Sequence, residues 1–172
     1  KEAGGAAGLF IIYKVYQLID KGIRVKVRVK EGVEVKKGEV LAEIYGNARA
    51  ILCGERTCLN FVQRVSGIAT YTRKFVSEIA DTKTKILDTR KTVPGWRMLD
   101  KYAVKTGGGT NHRLDLAEMF LIKDNHRKLV TLPKIVELMP IIKSYRKSVE
   151  IEVNSIEELK QVLPTRTTMV ML

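Results

Sequence analysis

Three stretches carry the groups in this sequence best suited to chemistry: Leu87-Asp-Thr-Arg-Lys-Thr-Val-Pro-Gly-Trp96, Gly107-Gly-Gly-Thr-Asn-His-Arg113 and Leu121-Ile-Lys-Asp-Asn-His126. Each closes an apolar run with a burst of cationic and polar residues. An open α/β sheet or a barrel gives that pattern when the C-terminal tips of successive strands face one anionic ligand. Arg90, Lys91, His112, Arg113 and Lys123 are therefore expected to line a single pocket. So many cation-capable groups together suit a substrate rich in carboxylate or phosphate, because guanidinium forks and ammonium groups make charge-assisted hydrogen bonds to both.

The elements that must hold these residues are read from periodicity. Gly8 to Asp20 is apolar at helical spacing and stops at Lys21-Gly22. Ile23 to Lys30 alternates strictly between aliphatic and basic residues, as a strand with one solvated face does. Glu31-Gly32 and Lys37-Gly38 mark turns. Val40–Tyr45 and Asn47–Leu52 read as short strands. A helix from Gly54 is interrupted at Gly67, and a second helix covers Ile68–Ile79. From Lys85 the pattern becomes strand–helix alternation, which implies a parallel sheet. Strands are expected at Lys85–Thr89, Ala103–Thr106, Met119–Lys123, Val149–Asn154 and Thr168–Leu172. Helices are expected at Trp96–Lys101, Leu132–Lys147 and Ser155–Leu163, the last opened by the capping-box pattern Ser155-Ile-Glu-Glu158.

The chain has 172 residues, 45% hydrophobic and 29% charged, a globular composition large enough for a sizeable core. Its net charge of +12 raises the question of a polyanionic partner. No helix-turn-helix, zinc-finger or aromatic RNA-binding signature accompanies that charge, so no nucleic-acid partner is expected. No apolar run is long enough for a membrane span, and no signal peptide is recognisable. Two cysteines, Cys53 and Cys58, without secretory context point to a reduced, cytoplasmic protein, with no metal held by the pair. The sequence begins without Met and stops inside an apolar run, so further segments are expected at both ends.

Glu55-Arg-Thr-Cys-Leu-Asn-Phe-Val-Gln-Arg-Val-Ser-Gly-Ile-Ala-Thr70, Leu87-Asp-Thr-Arg-Lys-Thr-Val-Pro-Gly95, Lys101-Tyr-Ala-Val-Lys-Thr-Gly-Gly-Gly-Thr-Asn-His-Arg-Leu114 and Ile122-Lys-Asp-Asn-His126 together resemble the quinolinate phosphoribosyltransferase family, in the family's order and spacing. The resemblance implies an α/β chain with an N-terminal α/β sandwich domain and an incomplete, open α/β barrel. Residues 1–52 would be part of the sandwich, 53–83 a helical connection, and 84–172 the first part of the barrel. It implies transfer of phosphoribosyl from phosphoribosyl pyrophosphate to quinolinate with decarboxylation, giving nicotinate mononucleotide in NAD biosynthesis. Mg²⁺ is the implied cofactor. The implied assembly is a homodimer, or a higher even oligomer, with shared active sites.

Residue by residue, the resemblance assigns Arg90 and Arg113 to the substrate carboxylates, with His112 on the same wall and Thr89 as a hydrogen-bond donor. Lys91 and Lys123 match positions near the reacting centre. Arg56 matches a residue that serves the neighbouring subunit's site. Glu152 matches a glutamate near the ribose and, indirectly, the metal. Alternation places Glu150 on the same face as Glu152, where a lysine partner would offset its burial. Asn154 stands where the family commonly has Asp. The family's next metal-linked carboxylate and its phosphate-binding loops would fall beyond Leu172.

Val29-Lys-Glu-Gly-Val-Glu-Val-Lys-Lys-Gly-Glu-Val-Leu-Ala-Glu-Ile44 also resembles half of a lipoyl or biotinyl carrier domain, but no modifiable lysine sits at a hairpin tip. A related phosphoribosyltransferase acting on nicotinate or another acid, and an inactive dimerising scaffold, are the remaining alternatives.

Overall fold

The computed structural model describes residues 3–172. The chain forms two compact units, Lys1–His112 and Arg113–Leu172.

In the first unit, β1 (Gly4–Gly5) pairs antiparallel with β3 (Glu34–Val35), and β2 (Arg24–Val27) pairs antiparallel with β4 (Ala42–Tyr45). Helix α1 (Leu9–Ile19) buries Leu9, Ile12 and Tyr16 in a core shared with Ile23, Val35 and Cys58. Its N-terminus carries no capping side chain of its own; Glu31 supplies one, accepting from the N–H groups of Gly8 and Leu9 at 2.9 and 2.6 Å. A carboxylate there satisfies orphan donors and complements the helix dipole. The alternating Ile23–Lys30 segment yields a shorter strand than expected, Arg24–Val27; just beyond its end Arg28 pairs with Glu43 of β4.

Helix α2 (Ala48–Glu78) corrects two expectations. Asn47–Leu52 is not a strand. Asn47 is the N-cap, its side-chain oxygen accepting from Arg49 and Ala50 N–H at 2.9 and 3.3 Å. Nor does Gly67 break the helix. It is exposed with open space around it, so its intrinsic cost of about 1 kcal/mol stands against tertiary bonds one residue before and three after. Ser66 Oγ accepts from Ala7 N–H and donates to Ala7 C=O, and Thr70 Oγ1 accepts from Gly5 N–H. Val65 and Ala69, both 0% exposed, pack on Ala7, Ile11 and Ala103 in a second core.

Ala103–Thr106, expected as a strand, is the end of helix α3 (Arg97–Thr106). Ala103 is fully buried and packs against Val65 and Ala69 of α2. The following glycines turn the chain. A Cβ at Gly107 would lie 2.4 Å from Ala69 O, and Gly108 has φ +92°, so close approach and a left-handed turn occupy adjacent positions. The Lys85–Thr89 run contributes a single parallel bridge, Leu87 to Thr110, rather than a strand.

The second unit holds a parallel sheet in the order β5 (Met119–Ile122), β6 (Ser148–Glu152), β7 (Met169–Met171). Among the described residues the sheet is open. Helices α4 (Asp124–Leu129) and α5 (Leu132–Ser144) connect β5 to β6, and α6 (Ile156–Val162) leads toward β7. Helix α4 is an addition to the expected elements. Val149, Ile151 and Val153 of the central strand segment are at most 1% exposed and form a core with Leu132, Met139 and Val162. Glu150, 7% exposed, sits between Leu121 and Met169 in the ladder.

The chain is thus a mixed helix and sheet protein. Of the three stretches expected at strand tips, only Leu121–His126 follows a full strand; Gly107–Arg113 follows a helix. No helix among the described residues is long and apolar enough to cross a membrane.

Candidate functional site

In the first unit, one parallel bridge does the work expected of two strands. Because Leu87 and Thr110 pair in parallel, the residues after each leave at the same end. Asp88 N–H donates to Thr110 C=O at 3.2 Å, and Thr110 N–H to Ile86 C=O at 2.8 Å. Thr89, Arg90 and Lys91 follow one side of the bridge and His112 follows the other. Thr89 and Lys91 line a cavity of about 200 Å³ together with Ile68, Asp88, Thr92, Asp100, Lys101 and Val104.

Arg90 is half-buried, and its Nε is buried without a hydrogen-bond partner. No carboxylate among the described residues pairs with it. An arginine held in this way has donors available to a bound anion, since buried polar groups otherwise find partners. The exposed Lys91 side chain also has no ion-pair partner among the described residues. Its backbone N–H donates to Thr89 Oγ1 at 3.0 Å, closing a tight local turn at the start of the loop.

The wall behind this loop is built from α2 and α3. Arg64 of α2 holds Asp100 of α3 through two bonds, Nε to Oδ1 at 3.0 Å and Nη2 to Oδ2 at 2.8 Å. Asp100 raises the affinity of the Arg64 guanidinium for its proton through these bonds, against the effect of desolvation. Arg64 also lies 4.9 Å from the centroid of Trp96, whose ring packs on Phe61 at 4.9 Å. The loop therefore ends on an anchored tryptophan.

Arg56 does not join this group. It lies on the exposed face of α2, and the helical rise places it about 18 Å along the axis from Ile68, which lines the cavity. An arginine side chain is too short for that span.

In the second unit, Lys123 caps α4 at the end of β5, where its N–H donates to His126 Nδ1 at 3.0 Å. Lys123 Nζ lies 3.7 Å from Glu152 Oε2, outside hydrogen-bond range. That oxygen is buried with no hydrogen-bond partner. Two opposite charges thus stand side by side, each with capacity for a ligand. Arg113 is tied by Nη1 to Met119 C=O at 3.0 Å.

Residues near Glu152 were missed in the sequence. Arg127, 14% exposed in its side chain, pairs with Glu158, and its Nη1 donates to Glu152 C=O at 3.1 Å. Glu158 accepts from Asn154 N–H at 2.7 Å. The capping-box pattern had flagged Glu158 only as a helix-start residue; in fact it clamps the end of β6. Ser155 Oγ does cap, accepting from Glu158 N–H at 3.2 Å.

The Asn154 N–H, and then Arg127, hold the Glu158 carboxyl below its ordinary range. A carboxyl lowered in the folded state contributes stability above its unfolded pKa, and this is lost as pH falls through the folded value. Glu158→Gln is therefore expected to lower Tm at neutral pH, with the deficit closing as pH drops below roughly 4. Thermal melts of both proteins across that range check it; a deficit independent of pH would contradict the ionic clamp.

Among the described residues no cluster of three or more His, Cys, Asp or Glu could cage a metal. Cys58 is buried and Cys53 exposed, both free thiols on α2. Burial pushes the Cys58 thiol up from its ordinary pKa. Mg²⁺ does not require a protein cage, because it is commonly held by one or two carboxylates plus substrate phosphates. Glu152, whose Oε2 has no hydrogen-bond partner, fits that donor set.

Comparison with known proteins gives one consistent family. Residues 1–66 match the profile for the quinolinate phosphoribosyl transferase N-terminal domain, and residues 68–172 that for the C-terminal domain. A probable nicotinate-nucleotide pyrophosphorylase (carboxylating) from Synechocystis is 40% identical, over 100% of this chain and 59% of its own length. Its Bacillus subtilis counterpart is 41% identical, over 99% of this chain and 60% of its own length. Among solved structures, the nicotinate-nucleotide pyrophosphorylase of Francisella tularensis has 41% identity and a TM-score of 0.94, covering 99% of this chain and 61% of that one. NadC from Streptococcus pyogenes has 36% identity and a TM-score of 0.92, covering 100% and 61%. The chain thus spans about three fifths of the length of these relatives.

Proposed function

From the premise that this chain belongs to the quinolinate phosphoribosyltransferase family, we propose that the protein carrying it transfers phosphoribosyl to quinolinate with loss of carbon dioxide. The products are nicotinate mononucleotide and pyrophosphate, a step of NAD biosynthesis. The observation that carries the reading is the Arg90 guanidinium, half-buried and without an anionic partner among the described residues, at a position the family uses for substrate carboxylate. In this reading unit one belongs to an α/β sandwich followed by the entry into an open α/β barrel, and β5 to β7 are barrel strands.

Quinolinate presents two adjacent carboxylates on a pyridine ring. Arg90 and Arg113 each take a carboxylate through charge-assisted bonds, with His112 and Thr89 as further contacts. The ring nitrogen attacks the ribose carbon as the bond to pyrophosphate breaks, so positive charge builds on the ribose. The Glu152 carboxylate stabilises that charge, and Lys91 stabilises the departing pyrophosphate. Lys123 places its positive charge beside Glu152, where it can hold an anionic group of the substrates. Mg²⁺, when bound, supplies further charge compensation to the pyrophosphate, with Glu152 as its indirect protein partner. Once the nitrogen is quaternised, the ring accepts the electron pair left when the 2-carboxylate departs as carbon dioxide, and a proton then takes its place on the carbon. No general base is needed, because the pyridine nitrogen already has its lone pair.

Arg56 is assigned to a neighbouring subunit's site in a homodimer or larger even oligomer. The distance along α2 supports this, since Arg56 cannot reach the cavity of its own chain. A mixture of Arg56→Ala and Lys91→Ala subunits is expected to recover activity that neither variant has alone, because one mixed site in each dimer keeps both residues. Activity no higher than the separate variants would remove the shared-site assignment.

The test of the function is a product assay with phosphoribosyl pyrophosphate and Mg²⁺. Quinolinate should yield nicotinate mononucleotide with matching carbon dioxide. Product from nicotinate alone, or from neither acid, would overturn the reading.

A further inference from the structure

Lys101 is 4% exposed and the proposed chemistry does not use it. A buried ammonium is costly unless paired and hydrogen-bonded. Here Lys101 Nζ donates to Asp88 Oδ1 at 2.5 Å and to His112 C=O at 2.8 Å. The same Asp88 oxygen accepts from His112 N–H at 2.8 Å. With its amide nitrogen turned toward Asp88, Asn111 donates to Asp88 Oδ2 at 3.0 Å and to Lys101 C=O at 2.9 Å. One ion pair thus ties three segments together: the loop after Leu87, helix α3 and the loop after Thr110.

The pair borders the same cavity as Thr89 and Lys91, and Asp88 directly precedes in the chain the residues assigned to substrate. Thr89, Arg90 and Lys91 follow Asp88 in the chain, and beyond it their backbone is held by the local bonds Lys91 N–H to Thr89 Oγ1 and Thr92 N–H to Arg90 C=O. Asp88 therefore sets the direction in which Arg90 leaves the bridge. Helix α3 is also fixed independently at the adjacent position, because Asp100, the preceding residue, is gripped by Arg64. Lys101 works from a rigid base. Its charge is neutralised by Asp88, so it is not a spare cation for substrate.

We propose that the buried Asp88–Lys101 pair positions Thr89–Lys91 and His112 for the dicarboxylate substrate, acting through these residues because its own charged atoms are engaged with each other and with the backbone of His112. The proposal rests on the function given above. Small displacements matter at such a site, since a misplacement of about 1 Å can cost on the order of a hundredfold.

The test compares Lys101→Met with the double variant Asp88→Asn/Lys101→Met in the full-length enzyme. Three quantities are read: Tm, quinolinate KM against kcat, and hydrogen exchange in residues 86–92 and 110–112. Lys101→Met leaves Asp88 buried and unpaired, so it should lower Tm, speed exchange in both segments and raise quinolinate KM by about tenfold or more. The double variant removes both charges and should regain much of the lost Tm while keeping the raised KM and the faster exchange. If the double variant regains the wild-type KM along with Tm, the pair is only a balance of buried charge and the proposal is wrong. An unchanged KM in both variants overturns it as well. A wild-type enzyme inactive on quinolinate would overturn the assigned function instead; unchanged exchange would still reject the positioning by itself.

Discussion

Arg90→Ala is expected to lower kcat/KM for quinolinate by about 10²–10³-fold, nearly all of it through binding. A hydrogen bond to a charged group is worth roughly 1.5–3 kcal/mol, and a guanidinium fork makes two to one carboxylate. The unbound protein should lose little, because Arg90 has no ion pair to give up and its Nε is already without a partner. Tm of Arg90→Ala should therefore stay near the wild-type value. Arg90→Lys keeps the charge but not the fork, and should recover only part of the loss. Steady-state kinetics beside thermal melts check both points. A large fall in Tm would make Arg90 a structural residue instead.

Lys91→Ala should act on the other kinetic constant. If Lys91 stabilises charge that develops as pyrophosphate leaves, its removal lowers kcat by roughly 10²-fold or more, with a smaller change in quinolinate KM. The side chain is exposed beside the cavity and has no partner among the described residues, so the variant should fold normally. Kinetics with saturating substrates separate the two effects. Wild-type turnover in Lys91→Ala would remove its transition-state role and leave Lys123 and Glu152, 3.7 Å apart, as the charged groups near the reaction.

The contrast between these variants follows from features of uneven legibility. The family was legible because long motifs such as Leu87–Gly95 and Lys101–Leu114 keep their order and spacing in the sequence, whereas an arginine or lysine taken singly is most often a surface residue. The route by which the backbone delivers these motifs was not legible. Periodicity suggested strands at Lys85–Thr89 and Ala103–Thr106, yet one is a single bridge at Leu87 and the other a helix. Ala103 is compatible with either state, and burial against α2 decides it, a tertiary override of local preference. Asn47 carried a local signal for a helix start that the aliphatic residues after it obscured. Gly67 looked like a stop, but a glycine on an exposed face is tolerated when long-range bonds from Ser66 and Thr70 hold the helix.

The positioning groups were the least visible. Asp88 and Lys101 lie in different motifs and have no sequence pattern that pairs them. Only folding α3 back behind the Leu87–Thr110 bridge brings their charges to 2.5 Å. Arg127 and Glu158 meet in the same way across the end of β6. The elements with consistent periodicity, α1, α5, β5, β6 and α6, lie close to their expected bounds, because their apolar faces meet local cores that agree with the pattern.

Direct binding tests the central claim, that these cations select an aromatic dicarboxylate. Calorimetric titration of the full-length protein with quinolinate and with nicotinate isolates the contribution of the second carboxylate, free of turnover. The account predicts that quinolinate binds about 10²-fold more tightly, the margin expected from one charge-assisted, two-pronged contact. Equal affinity for the two acids would contradict it.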